Sequence, residues 1–188
     1  VFKPLVAAAA LQEGVIDTNT HMECNHYYTF YAPSYIPTCL GWHGDVDLQK
    51  AIKVSCNVFF YEVGRLLGID NIDLYAKQFG FGQATGVEIG ERTGTLASPE
   101  YRTSNGGIWQ PGDVIQAAIG QSDNAFTPLQ LATYCATIAN NGTRLKTHLV
   151  KQVTNYNRDQ VISETEPEVV AQVDISEENL KTVQEAMK

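Results

Sequence analysis

At 188 residues, with 44 % hydrophobic and 18 % charged side chains, the chain has the length of a single domain and is too apolar to remain disordered. Its 13 basic against 21 acidic residues give a net charge of −8, which excludes nucleic acid as a partner, because phosphate binding needs a clustered basic face. No apolar run approaches the roughly 18 residues of a membrane span, and the longest, Leu5 to Leu11, lacks the flanks of a signal peptide.

Phe2 to Glu13 predicts a helix. Alanine and leucine are strong helix formers, Pro4 is tolerated only in a first turn, and Gly14 supplies the stop. Residues 18–44 carry Tyr27, Tyr28, Tyr31 and Tyr35, two prolines and no sustained helical period. They read as an irregular insert with room for a short hairpin. Asp45 is placed to cap a helix from Val46 to Val54. A second helix follows Ser55-Cys56-Asn57 and stops at Gly68, and Asp70 caps a third that ends at Gly80. Residues 81–121 are rich in glycine and read as a wrapping loop with short strands, Val87 to Ile89 among them. Thr127-Pro128, a cap followed by a first-turn proline, opens a helix that ends at Asn140-Asn141-Gly142. Residues 143–188 hold strands and a terminal helix: Leu149–Val153 and Gln160–Ile162 pair as a hairpin, and Ser176 caps a helix with Glu177 and Glu178 in its first turn. The fold class is α+β and predominantly helical.

Two short motifs can carry chemistry. Lys3 lies in the first turn of the first predicted helix, where a residue three positions earlier shares its face. A partly desolvated lysine loses proton affinity and can accept a hydroxyl proton as a neutral amine. Ser55-Cys56-Asn57 lies between two predicted helices, where side chains can reach a cleft. Ser55 can relay a proton, and Asn57 offers both a donor and an acceptor to an amide. Taken singly, Lys3 is equally a solvated charge, and Ser55 and Asn57 are equally helix caps.

Val1-Phe2-Lys3-Pro4 and Ser55-Cys56-Asn57 resemble the S-x-x-K and S-x-N elements of penicillin-binding protein transpeptidases. So do His43-Gly44, Phe59-Phe60-Tyr61, Phe79-Gly80-Phe81-Gly82, Ile119-Gly120-Gln121 and Thr127-Pro128-Leu129-Gln130-Leu131-Ala132, all in family order. The pattern is similar to the elongation-type branch of class B penicillin-binding proteins. One departure is Ser122, where the family continues with glycine, because serine does not accept positive φ as glycine does.

The resemblance implies the helical part of the serine β-lactamase and penicillin-binding protein transpeptidase fold, with the main sheet largely missing. It implies that the nucleophilic serine directly precedes Val1, that the K-T-G element follows Lys188, and that these 188 residues alone are inactive. It further implies a D,D-transpeptidase that cross-links peptidoglycan stem peptides through an acyl-enzyme and is acylated by β-lactams. Its setting would be the extracytoplasmic face of the bacterial membrane, with an anchor outside this chain and a glycosyltransferase partner. Lys3, Ser55 and Asn57 would be catalytic, and Asn57 would also bind substrate. A sheet packing on the first helix would leave Leu5–Leu11 exposed in its absence. The rival readings are a β-lactam sensor or β-lactamase-like domain, and a non-catalytic cell-wall interaction domain.

The insert holds a second candidate. His21, Cys24, His26, Cys39 and His43 give H-x2-C-x-H and C-x3-H clusters, with Cys24, Cys39 and His43 the candidate zinc ligands. A Cys24–Cys39 disulfide and unlinked side chains are the alternatives, the disulfide being favoured outside the cytoplasm. No other cofactor is expected. Cys56 and Cys135 read as small buried hydrophobes.

Overall fold

A computed structural model describes Val1–Lys188. Seven helices enclose one core, and strand is confined to three two-stranded antiparallel ribbons. At the centre is α1 (Lys3–Gln12). Its alanine-rich sequence is apolar all round, which suits a helix with protein on every side, and Leu5 through Ala10 are fully buried. The expected exposure of Leu5–Leu11 is therefore corrected: α3, α2 and α7 already cover this helix, and only Leu11 and Gln12 at its end are partly open.

The longest element, α3 (Asn57–Gln78), is two helical halves joined at Gly68, whose φ of 79° breaks the hydrogen-bond ladder at little cost to a residue without Cβ. Asp70 lies inside the first turn of the second half and does not cap it. Before α3, α2 (Leu48–Lys53) is shorter than expected. Its cap is Asp47, which accepts the Lys50 N–H, whereas Asp45 belongs to a strand. That strand, β2 (Gly44–Val46), pairs with β1 (Met22–Cys24). A further bridge joins Tyr27 to Thr38, so the insert is a hairpin closed on itself.

The region 81–121 differs most from expectation. Val87–Ile89 forms no strand, and the segment instead contains two helices, α4 (Pro99–Ser104) and α5 (Pro111–Ala118). Both start with a proline in the first turn behind a capping residue, Ser98 for α4 and Gln110 for α5. At Gly64 α3 and α5 approach closely, since a Cβ there would overlap that of Ala118. The loop before α4 is clamped by Gln130, 2 % exposed, whose amide donates to the carbonyls of Gln83 at 2.9 Å and Thr93 at 2.7 Å.

Gln130 also completes a capping box with Thr127 at the start of α6 (Pro128–Ala139), so Thr-Pro-Leu-Gln both begins the helix and holds the loop. Cys135 on α6 is exposed, not buried. The chain then forms β3 (Thr143–Leu145), β4 (Gln152–Thr154), β5 (Val161–Glu164) and β6 (Val169–Gln172). The expected hairpin is β4–β5, while β3 pairs with β6 around it. Finally α7 (Glu177–Ala186), capped by Ser176, returns to α1, where Gln12 Oε1 accepts the Ser176 N–H at 2.8 Å. No helix is long and apolar enough to cross a membrane.

Candidate active site

Lys3 is fixed before any of its polar partners are considered. Its neighbour Phe2 stacks on Phe126 with ring centroids 5.3 Å apart and lies 5.5 Å from the Phe81 ring. A Cβ at Gly120 would come within 2.8 Å of Phe2 Cβ, so glycine at that position lets the aromatic residue seat. The first turn of α1 is thus locked, and the Lys3 side chain runs through the core to the α2–α3 junction with only 9 % of its surface exposed.

At that junction the lysine finds three acceptors. Its Nζ donates to Ser55 O at 2.8 Å, Ser55 Oγ at 2.7 Å and Asn57 Oδ1 at 2.7 Å. An ammonium has three donors, so the site satisfies the charged form completely. Burial is the largest influence on Lys3 and lowers its pKa from the ordinary lysine value, with the sulfurs of Cys39 and Cys56 acting in the opposite direction. Such a lysine gives up its proton more readily than a solvated one while staying in contact with a hydroxyl.

Ser55 reaches the lysine through an uncommon backbone. Its φ is 54°, a left-handed conformation that costs a non-glycine residue on the order of 1–3 kcal/mol and recurs at functional sites. Neither Ser55 nor Asn57 is a helix cap. The N-cap of α3 is Cys56, and α2 ends at Val54.

Cys56 points the other way. Its sulfur joins those of Cys24 and Cys39 and the His43 ring, and the four ligand atoms lie within 4.8 Å of one another. His43 Nδ1 is 3.5 Å from both Cys24 Sγ and Cys39 Sγ, and Cys39 Sγ is 4.0 Å from Cys56 Sγ. Tetrahedral zinc with Zn–S of about 2.3 Å and Zn–N of about 2.0 Å places neighbouring ligand atoms roughly 3.5–3.8 Å apart, so the set fits that ion. The insert's own hydrogen bonds assemble it: His43 N–H donates to Cys24 O at 3.2 Å, and Cys39 N–H to His26 O at 2.7 Å.

Burial raises the Cys56 thiol to about 12. Burial acts on Cys39 in the same direction, yet backbone N–H groups of Gly41, Val58 and Asn57 outweigh it and leave that thiol below its ordinary value.

The structure therefore brings Cys24, Cys39 and His43 together and adds Cys56. The two remaining histidines turn away: His21 Nδ1 pairs with Asp45 at 2.8 Å, and the His26 ring stacks on Trp42. All four cysteines are free thiols, without a Cys24–Cys39 disulfide. The Asn57 N–H, on Cys39 Sγ at 3.1 Å, joins the sulfur cluster to the lysine cluster. Ser122 takes the positive φ of 62° that its side chain disfavours, and its Oγ accepts from Arg102 at 3.1 Å.

A central alanine-rich helix whose buried lysine meets a Ser-x-Asn turn defines the helical half of a penicillin-binding scaffold. The model of the penicillin binding protein transpeptidase domain matches residues 1–188, and the chain belongs to that family. It is 35 % identical over 155 residues to the peptidoglycan D,D-transpeptidase MrdA of Acinetobacter baumannii, covering 79 % of this chain and 23 % of that protein. Among solved structures, Pseudomonas aeruginosa PBP2 superposes with a TM-score of 0.82 at 30 % identity, over 98 % of this chain and 42 % of that one. A chain of a peptidoglycan synthase complex that coordinates polymerization and crosslinking gives 0.79 at 27 % identity, over 99 % of this chain and 31 % of that one. The chain spans about a quarter of the length of the MrdA relative it matches. The elongation-type resemblance is thereby shown, as is the transpeptidase fold.

Proposed function

We propose that these residues form the proton-handling side of a serine D,D-transpeptidase site that cross-links peptidoglycan stem peptides and is acylated by β-lactams. The observation that carries it is the Lys3 amine, desolvated and 2.7 Å from both the Ser55 hydroxyl and the Asn57 carboxamide. In the neutral form Lys3 would take the proton of a serine hydroxyl placed one helical turn behind it, at the position preceding Val1. Ser55 Oγ would pass that proton to the leaving amine, and Asn57 would orient the substrate amide. Each group lies within the reach that general acid–base transfer requires. The nucleophile and the K-T-G strand would come from outside these 188 residues, which alone would take up no β-lactam.

The same reading puts the domain on the extracytoplasmic face of the membrane, anchored outside this chain, with a glycosyltransferase as partner. The similarity to a chain of a peptidoglycan synthase complex supports that partnership. Zinc would be held by Cys24, Cys39, His43 and Cys56, and would contribute structure, since all four positions of the tetrahedron belong to the protein. Intact-mass measurement after incubation with a fluorescent penicillin tests the proposal. The parent enzyme should gain one acyl group and lose it on Lys3→Ala, whereas the 188-residue chain should gain none. Full acylation of a folded Lys3→Ala enzyme would remove Lys3 from the mechanism.

A further inference from the structure

The first turn of α3 is held by two sulfurs. Cys39 Sγ accepts the Asn57 N–H at 3.1 Å, and Cys56 Sγ accepts the Phe59 N–H at 3.5 Å. These are amide groups that the start of a helix leaves without partners in its own ladder. Thr38, beside Cys39, adds a carbonyl that accepts from Asn57 Nδ2 at 3.4 Å and from the Tyr61 hydroxyl at 3.3 Å. The return arm of the insert therefore grips Asn57 by both its backbone and its carboxamide, while Asn57 Oδ1 accepts from Lys3 Nζ at 2.7 Å.

The two gripping sulfurs also face each other. Cys39 Sγ is 4.0 Å from Cys56 Sγ, about 2 Å beyond the length of a disulfide bond. Cys24 Sγ is turned instead to Gly41 O at 3.7 Å and His43 Nδ1 at 3.5 Å. Cys39 and Cys56 are 2 % and 0 % exposed, which shuts out bulky thiol reagents. The edge of the cluster is thinner, because Gly41 and His43 are partly open. A Cβ at Gly41 would come 3.0 Å from His43 Nε2, so a side chain there would close over the ring. A reagent little larger than water has its shortest way in along that edge.

We propose that Cys39 and Cys56 are an oxidative modification site, at which a hydroperoxide joins the two sulfurs in a disulfide and so loosens the hold of the insert on Asn57. The Cys39 thiolate attacks one peroxide oxygen, the O–O bond breaks, and hydroxide leaves behind a sulfenic acid. The Cys56 thiolate then attacks that sulfur, the S–O bond breaks, and a second hydroxide leaves. The two sulfurs lose two electrons, the peroxide gains them, and two protons from solvent turn both hydroxides into water. A disulfide sulfur is no longer a thiolate ligand. Only Cys24 and His43 then remain as metal donors, and the Asn57 N–H loses its acceptor. The effect on catalysis rests on the transpeptidase reading above, whereas the bond formation does not.

The test treats the 188-residue chain, carrying Cys135→Ala to remove the exposed thiol, with hydrogen peroxide. Free thiols should fall from three to one, with Cys39 linked to Cys56 by peptide mapping. Any bound zinc should pass to a chromogenic chelator in step with that loss. Cys24→Ala should still form the bond, since both partners remain. In the parent enzyme peroxide should slow penicillin acylation by about tenfold or more, the scale of a misplaced catalytic group, and dithiothreitol with zinc should restore it. Methionine sulfoxide is repaired by dedicated reductases, so rescue by dithiothreitol assigns the loss to the cysteines.

Three thiols retained, a Cys24–Cys39 bond in place of the expected one, or full acylation by the oxidised enzyme would overturn the site. A chain without zinc that still forms the Cys39–Cys56 bond would fail the metal reading and uphold this one. A parent enzyme that never acylates would fail the transpeptidase reading, and the thiol count would still decide the bond.

Discussion

Ser55, Cys56 and Asn57 are consecutive, yet they serve two clusters of opposite character. Ser55 and Asn57 turn toward Lys3, where three short hydrogen bonds satisfy every donor of the ammonium. Cys56 turns toward Cys24, Cys39 and His43, where the contacts are 3.5–4.0 Å and join soft atoms that hydrogen-bond weakly. The lysine cluster is complete with protein groups alone, whereas the sulfur cluster is arranged as a ligand set. Desolvated polar atoms are satisfied either by a saturated hydrogen-bond network or by a cation; one side of this tripeptide has the first, and the other presents a donor set that could hold the second.

The largest effect should come from the lysine side. In the parent enzyme Lys3→Ala should slow β-lactam acylation by about 10³–10⁴-fold, the upper range for removing a general base, as read by stopped-flow with a fluorescent penicillin. Asn57→Ala should cost about 10²–10³-fold, the loss of one positioned polar group. If Asn57→Ala cost as much as Lys3→Ala, the two would act as one unit and the ranking within the cluster would collapse.

The pH dependence sharpens the same point. Because burial lowers the Lys3 pKa, the acylation rate should rise with pH through an inflection below the roughly 10.4 of a solvated lysine. The linked stability follows with a definite sign. Between the folded and unfolded pKa values the unfolded chain binds more protons, so stability gained from this group rises with pH across that window. A profile that inflects at the ordinary lysine value would show that desolvation is not felt at Nζ.

On the sulfur side, the 188-residue chain should carry one equivalent of zinc by elemental analysis. A chelator should lower its melting midpoint by on the order of 10 °C, the shift expected for losing several kcal/mol of ligand-linked stability in a domain of this size. Cys56→Ala should abolish stoichiometric zinc although Cys56 lies outside the insert. Retention of zinc by that variant would detach the Ser-Cys-Asn turn from the metal set. A final substitution lies far from both clusters. Ser176→Ala removes the cap of α7 and should cost about 1 kcal/mol by chemical denaturation, leaving acylation and zinc content unchanged.

Local sequence signals carried the helices well. Pro4, the alanine run and Gly14 bound α1, Thr127-Pro128 starts α6, Ser176 starts α7, and Gly68 divides α3. The same cap-and-proline signal stands at Ser98-Pro99 and Gln110-Pro111, but the glycines around it obscure α4 and α5. The family order of Lys3, Ser55 and Asn57 was legible too, because motifs record chemistry at fixed spacing.

Contacts between distant segments were not legible, because each depends on the path of the whole chain. That α1 is enclosed without a sheet follows from α7 returning across some 160 residues to Gln12. Cys56 is a zinc-ligand candidate only because β1–β2 pairing and the Tyr27–Thr38 bridge bring Cys24, Cys39 and His43 to the α2–α3 turn. His21 and His26 have equally good spacing and are drawn off by Asp45 and Trp42. Spacing limits which ligands can meet locally. The sequence by itself determined the elements and the chemical groups available, while tertiary structure decided which groups face one another, because side-chain direction is set only when the backbone has been closed into place.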